Sequence, residues 1–401
     1  DFVGSLRPLT DSIVESDPSF FRYEKNVHRK YCDNMALNIR GLTNSTSTLN
    51  KETINFLKNL GYASKSHWSK YLGGNIITDS LLGIKYIIDS ENADISKYYD
   101  LTDLEPVNVN KTDYYAYIND NALSLAYSVN NAVLDYKFNG KTPMENINGL
   151  LNAMIGSEEA LEFFVPVEIE ESTSNLSTKT NSSYYEYRPE VTGSAATLTY
   201  TFTTNTAAEY FFYLPSDYPR EVDLKVNNKS SGTFYASETT RIISLGFFEE
   251  GETVNVGMTL KADVLYTIPK VNSIYYIDVD LAKDALSNLA SEQMIISDDW
   301  KEHNIKGTYS TANDLTTVFT TLPYDEGWKI YVDGNEIEYE KALEAVIAFK
   351  IDSAGEHTVE FKYAPKTFTL GLAISLLSLG LFVFIIIFEK PLASIWAKVT
   401  E

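Results

Sequence analysis

From residue 368 to residue 388 the chain reads "FTLGLAISLLSLGLFVFIIIF", without a single charged side chain. As an α-helix, at about 1.5 Å per residue, this run reaches roughly 30 Å, the thickness of a bilayer's hydrocarbon core. A helix buried in a soluble core is usually shorter or keeps a polar stripe. The run lies at the wrong end for a secretory signal, and "EKPLASIWAKVTE" beyond it argues against a cleaved lipid-anchor tail. It reads as a transmembrane helix. Its direction is not legible from charge, because Lys362 and Lys366 before it balance Lys390 and Lys398 after it.

The rest of the chain must fold outside the bilayer, and its composition says how. Its 401 residues predict two to four domains at about 150 residues each. With 33 basic and 55 acidic residues the net charge is −22, a surface that repels nucleic acid and anionic headgroups. The single cysteine, Cys32, excludes an internal disulfide framework. Abundant Tyr (28) and Phe (20) favour strands. The first residue is Asp rather than Met and no signal sequence follows, so the expectation is the C-terminal part of a longer protein.

Periodicity divides the chain. "DFVGSLRPLTDSIVESDPSFFRYEKN" reads as a connection into a strand at 20–24 with Arg22 and Glu24 facing outward. "NKETINFLKNLGY" predicts a helix capped by Thr48 or Asn50 and stopped by Gly61. "DSLLGIKYIIDS" reads as a strand buried on both faces, and "YYAYIND" and "AYSVNNAVLDYKF" as two more. "TPMENINGLLNAMIG" predicts a helix with Pro143 in its first turn and Gly156 at its end. Beyond it, "EIEESTSNLSTKTNSS" reads as a polar loop, while "TLTYTF" and "EVDLKV" alternate as half-buried strands.

An internal repeat organises the second half. "YLPSDYPREVDLKVNNK" is echoed by "TLPYDEGWKIYVDGN", and "EEGETVNVGM" by "SAGEHTVEFKY". Leu214 pairs with Leu322, Val226 with Val332 and Gly251 with Gly355, at offsets of 108, 106 and 104. Each alternating strand ends in turn chemistry, Asn227-Asn228 or Asp333-Gly334, suited to a tight hairpin. The fold class is therefore mixed and mostly β: an N-terminal α/β domain (1–138), two tandem duplicated β-sandwich domains each preceded by a helix (139–268 and 269–366), one transmembrane helix (367–389) and a short tail (390–401).

Catalytic signatures are scarce. The four histidines, His28, His67, His303 and His357, stand far apart without metal-ligand spacing, so no metal site is expected. His357 reads as a satisfied hairpin histidine. Asp278-Val279-Asp280 has the Asp-x-Asp form that holds a divalent cation in sugar-nucleotide transferases, yet before a helix Asp278 serves as a cap. Trp328, in register with Ile330 and Val332, points to core rather than to a sugar platform.

"SFFRYE", "NKETINFLKNLG", "TDSLLGIKYII", "TPMENINGLLNAMIG" and "TTLPYDEGWKIYVDGNEI…GEHTVEFKYAP", followed by one terminal span, resemble the C-terminal half of the bacterial YfhO family, membrane proteins similar to GT-C glycosyltransferases. The resemblance implies a bundle of membrane helices before Asp1, residues 1–366 outside the cell membrane and a cytoplasmic C-terminus. It implies sugar decoration of cell-wall polymers of the lipoteichoic acid type, from a polyprenyl-phosphate donor, with the catalytic acid upstream and this part positioning the acceptor. No cofactor is implied in this fragment, with room for a divalent cation in the full-length enzyme. The bilayer, the lipid-linked donor and the polymer are the implied partners; nucleic acid is not. Substrate-binding candidates within the resembling blocks are Arg22, Asp79, Lys85, Asp325, Trp328 and Lys329. The alternative is a non-catalytic, membrane-anchored surface protein binding glycans or proteins through its sandwiches.

Overall fold

The computed structural model describes residues 1–401 apart from 92–96, 182–183, 215–220, 235–239, 262, 268–271 and 400–401. The first Leu-Pro-x-Asp element, from Pro215 onward, lies outside the described residues.

The N-terminal unit is built on a sheet in which Arg22–Lys25 runs parallel to Ile84–Ser90, which pairs antiparallel with Thr112–Ile118. Its opening corrects the sequence reading. Phe2–Ser16 is a helix that buries Leu6, Leu9, Thr10 and Ile13 along one side and contains Pro8. Glu24 does not face outward either; it is fully buried, because both faces of its strand are covered. The segment "DSLLGIKYIIDS" divides, with Ile76–Leu81 helical and the strand beginning only at Ile84. Asn75 caps that helix and Gly83, at φ +66°, ends it. The helix Lys51–Asn59 is capped by Asn50, whose side chain accepts from the Glu52 amide.

The two sandwiches share one design. In the first, a five-stranded sheet runs in the order Glu170–Ser174, Thr197–Thr203, Thr253–Leu260, Val222–Val226, Lys229–Phe234. In the second, the corresponding order is Ile295–Ile296, Asn304–Thr311, Gly355–Tyr363, Trp328–Val332, Asn335–Ile337. Asn227 and Asn228 in one hairpin, Asp333 and Gly334 in the other, all have positive φ, the signature of a tight primed turn. The likeness extends to side chains. Asn227 Oδ1 accepts from the Asn255 amide at 2.9 Å, and Asp333 Oδ1 from the Thr358 amide at 2.8 Å. His357 adds a brace in the second copy, with Nδ1 2.8 Å from Asp333 and Nε2 2.9 Å from the Ser353 carbonyl. Contrary to the loop reading, Glu170–Ser174 and Leu176–Thr180 are paired strands; almost all their side chains are exposed, so no alternation marks them.

The units interlock. Ala126–Val129, read from sequence with the N-terminal domain, pairs antiparallel with Thr316–Pro323 in the four-stranded sheet of the second sandwich. Ile274–Ile277, which leads into the helix Val279–Ala290, completes a sheet of the first. That helix begins at Asp278, whose side chain accepts from the Leu281 amide and so acts as a cap. The helices Pro143–Ile155 and Val279–Ala290 pack into a core shared by all three units. After Tyr363 only Ala364 and Pro365 intervene before the helix Lys366–Val399 begins. Its segment Leu370–Phe388 is the one stretch among the described residues long and apolar enough to cross a membrane, and none of it is buried. The tail read beyond the span continues this helix.

One backbone approach pins the seam between the N-terminal unit and the first sandwich. The Ile242 amide donates to the Gly61 carbonyl at 3.0 Å, and Gly73, at φ +103°, sits so close that a Cβ there would lie 2.3 Å from that same carbonyl oxygen. Gly73→Ala is expected to cost about 3 kcal/mol or more in urea unfolding, through strain and clash together. Gly251→Ala, at φ +83° but with open space around it, costs about 1 kcal/mol. Equal losses at the two positions would contradict the packing described.

Candidate functional site

Beside this seam lies a cleft of about 890 Å³ between the N-terminal unit and the first sandwich. Its floor comes from the turn Gly73–Gly74, from Asn75 and from the helix that Asn75 caps; its far wall comes from the strand Ile243–Phe248 and the hairpin around Asn227–Ser231. Tyr98 ties the two sides together, its hydroxyl accepting from the Glu209 amide at 3.1 Å.

Under the floor is Asp79, buried and surrounded by phenols. Tyr62 donates to Oδ1 at 2.9 Å, while Tyr71 and Tyr99 donate to Oδ2 at 2.7 and 2.8 Å. Burial pushes the carboxyl up to about 7, with the three phenol donors pulling the other way. Burial likewise raises all three tyrosines well above their ordinary value, so they stay protonated donors. Asp79 thus fixes the orientation of Tyr71 and Tyr99, which reach the cleft surface above it.

A second polar chain reaches Tyr71 from behind. His28 Nε2 lies 3.0 Å from the Tyr71 carbonyl and donates to it, leaving Nδ1 as the acceptor 3.3 Å from Lys25 Nζ. Burial, with Lys25 close by, holds the imidazole down to about 3, which keeps it neutral. Lys25 is itself fully buried and its ammonium is pulled down by burial. Glu24, on the same strand, accepts from the Thr43 amide at 2.7 Å and the Asn34 amide group at 3.0 Å; burial pushes it up.

The six residues singled out from sequence do not converge. Only Asp79 belongs to the cleft. Arg22 clamps two units, donating to Leu82 and Thr321 carbonyls and to the Thr321 hydroxyl. Lys85 pairs with Asp17. Asp325 accepts from the Gly327 amide, Trp328 packs against Tyr363 with ring centroids 4.9 Å apart and planes tilted by 52°, and Lys329 pairs with Glu336 across a hairpin, all near the base of the membrane helix. Asn75, Tyr71, Tyr99 and Phe247 escape sequence reading. Asn75 announces itself only as a cap before "IITDS", and three tyrosines among 28 carry no signal of convergence. Among the described residues, no three His, Cys, Asp or Glu gather to hold a metal ion.

The model of a family described as "Bacterial membrane protein YfhO" matches residues 1–375. The chain belongs to the YfhO family. A curated relative, the Bacillus subtilis (strain 168) "Uncharacterized protein YfhO", is 27% identical over 187 residues, covering 44% of this chain and 21% of that protein. This YfhO-family chain thus matches about a fifth of that relative's length. Among solved structures, a family 35 carbohydrate binding module from Clostridium thermocellum overlaps 29% of this chain and 95% of its own, at 11% identity and a TM-score of 0.21. A Paenibacillus cycloisomaltooligosaccharide glucanotransferase covers 49% and 45%, at 8% and 0.21. Family membership and the apolar helix make this part of a membrane protein.

The raised Asp79 value sets a pH dependence. The folded value, about 7, lies above the reference 3.8, so between those limits the native state keeps a proton that the unfolded chain has lost. This contribution is full below about pH 4, fades as pH rises to 7 and is constant beyond, a span on the order of 4 kcal/mol. Asp79→Asn should flatten the fall in unfolding free energy between pH 4 and 7. Parallel curves for the two proteins would contradict the assignment.

Proposed function

We propose that this chain is the extracytoplasmic part and final helix of a polytopic, GT-C-like membrane glycosyltransferase that decorates cell-wall polymers of the lipoteichoic acid type with sugar from a polyprenyl-phosphate donor. The chemistry belongs to the part upstream, and the cleft between the N-terminal unit and the first sandwich positions the acceptor. Residues 1–366 lie outside and the C-terminus lies inside.

The observation that carries this reading is the short connection between the sandwich pair and the bilayer. Only Ala364 and Pro365 separate the last strand from the membrane helix, so the folded part is held at the membrane surface. A lipid-linked donor presents its sugar at that surface. Holding an acceptor hydroxyl beside it converts an encounter of two molecules into a local one, with an upstream carboxylate taking the hydroxyl proton.

The test uses a strain lacking the full-length protein. Restoring the wild type should restore sugar on the polymer, measured by composition and NMR of purified lipoteichoic acid. Full-length protein carrying Ser244→Trp, which places an indole in the cleft from its exposed wall, should restore less than about a tenth of it at equal abundance in the membrane. Identical polymer sugar with and without the protein would overturn the transferase reading and leave a surface-anchored binding protein.

A further inference from the structure

Asn75 is 5% exposed and half satisfied. Its Oδ1 accepts from the Thr78 amide at 3.2 Å, which caps the helix, but its Nδ2 has no hydrogen-bond partner. A buried donor left unpaired costs about 1–3 kcal/mol, and native proteins keep few of them. Asn75 lines the cleft. The molecule therefore carries, in the floor of this cleft, an amide donor without an acceptor oxygen.

The surroundings say what kind of molecule brings that oxygen. The charged side chains lining the cleft are Asp79, Asp89 and Glu209 against Lys229 and Arg241. No excess of cations awaits a phosphate chain, in a protein whose net charge is already −22. What the walls offer instead is neutral hydroxyls, Ser230 and Ser231 on the far wall with Ser244 donating to Glu209 beside them, over a floor of Tyr71 and Tyr99 whose own hydroxyls are turned to Asp79 beneath. Phe247 adds a half-buried ring on the far wall, outside the packed core of the sandwich, with the Lys97 ammonium 4.6 Å over one face and the other face left for a ligand. A ring with one apolar face and equatorial hydroxyls matches such a lining, and a volume near 890 Å³ falls in the range of small-ligand clefts.

We infer that the cleft binds an uncharged, hydroxyl-rich glycan segment, with Asn75 Nδ2 donating to a sugar oxygen and Phe247 facing a sugar ring, rather than the phosphate-bearing stretch of an acceptor polymer. This rests on the acceptor-positioning reading and deepens it: the polymer is recognised where it carries sugar or bare hydroxyls, so its polyanionic backbone need not approach the acidic surface.

The test is binding to the purified full chain in nanodiscs, without donor and without turnover. The probes are a panel of neutral gluco-, galacto- and N-acetylglucosamine trisaccharides and a glycerol phosphate hexamer, followed by saturation-transfer NMR and calorimetry. At least one neutral trisaccharide should bind and the hexamer should not compete with it. Asn75→Ser keeps a capping oxygen while removing the amide donor, and should weaken binding about tenfold with the unfolding temperature nearly unchanged; Phe247→Leu should do likewise. Preference for the hexamer, no binding by any trisaccharide, or full affinity in both variants would each overturn the inference. Any of those results leaves polymer decoration in the strain free to succeed. Intact trisaccharide binding with no decoration would strike the transferase reading alone.

Discussion

One apolar core runs through all three folded units, and the rest of the structure depends on it. Leu57, Tyr62 and Ile77 enter it from the N-terminal unit, Phe211 and Tyr275 from the first sandwich, Phe319 and Ala348 from the second. The helices Pro143–Ile155 and Val279–Ala290 supply Ile147, Leu150 and Leu286 between them. Fully burying a large apolar side chain contributes about 1.5–3 kcal/mol, so parting any unit from the others would expose several such groups at once. Strand Ala126–Val129 in the sheet of the second sandwich, and Arg22 on Thr321, add hydrogen bonds across the same joints. A cleft whose walls are held this way needs little ordering when a ligand enters.

Against this apolar frame the polar interior stands out. Glu24 and Lys25, on the strand Arg22–Lys25, and Asp79, on the helix under the cleft floor, are all buried. Burying such groups opposes folding unless hydrogen bonds offset it. Here the tyrosine cage around Asp79, the Thr43 and Asn34 donors to Glu24, and His28 beside Lys25 provide that offset. The Asp79 cage also fixes where two phenol groups stand at the cleft floor, which links an expensive interior arrangement to the geometry of the surface above it.

Much of this was legible in the sequence where local rules act. Caps at Asn50 and Asp278, Pro143 in a first turn, the stop at Gly156 and the duplicated hairpins follow from spacing and turn chemistry. The repeat in the text became the same strand order in two sheets. The misses have physical reasons. Pro8 hid a helix whose stability comes from tertiary burial of Leu6, Leu9 and Ile13. The exposed strands from Glu170 to Thr180 have no buried face to imprint a pattern. Inward-facing Glu24 defied the rule that charge faces water, because its partners lie 10 and 19 residues away. The site itself was least legible, since Tyr62, Tyr71, Tyr99 and Phe247 meet only through the fold, and of the candidates chosen from sequence only Asp79 belongs to it.

Both walls of the cleft belong to one cooperative body. Hydrogen exchange of the full chain in nanodiscs, read peptide by peptide, tests it most directly. Amides of the floor around Tyr62–Leu81 and of the far wall around Ile243–Phe248 are expected to open with the same free energy, near that of global unfolding. Opening of the first-sandwich wall at a free energy several kcal/mol lower, while the floor stays protected, would contradict it.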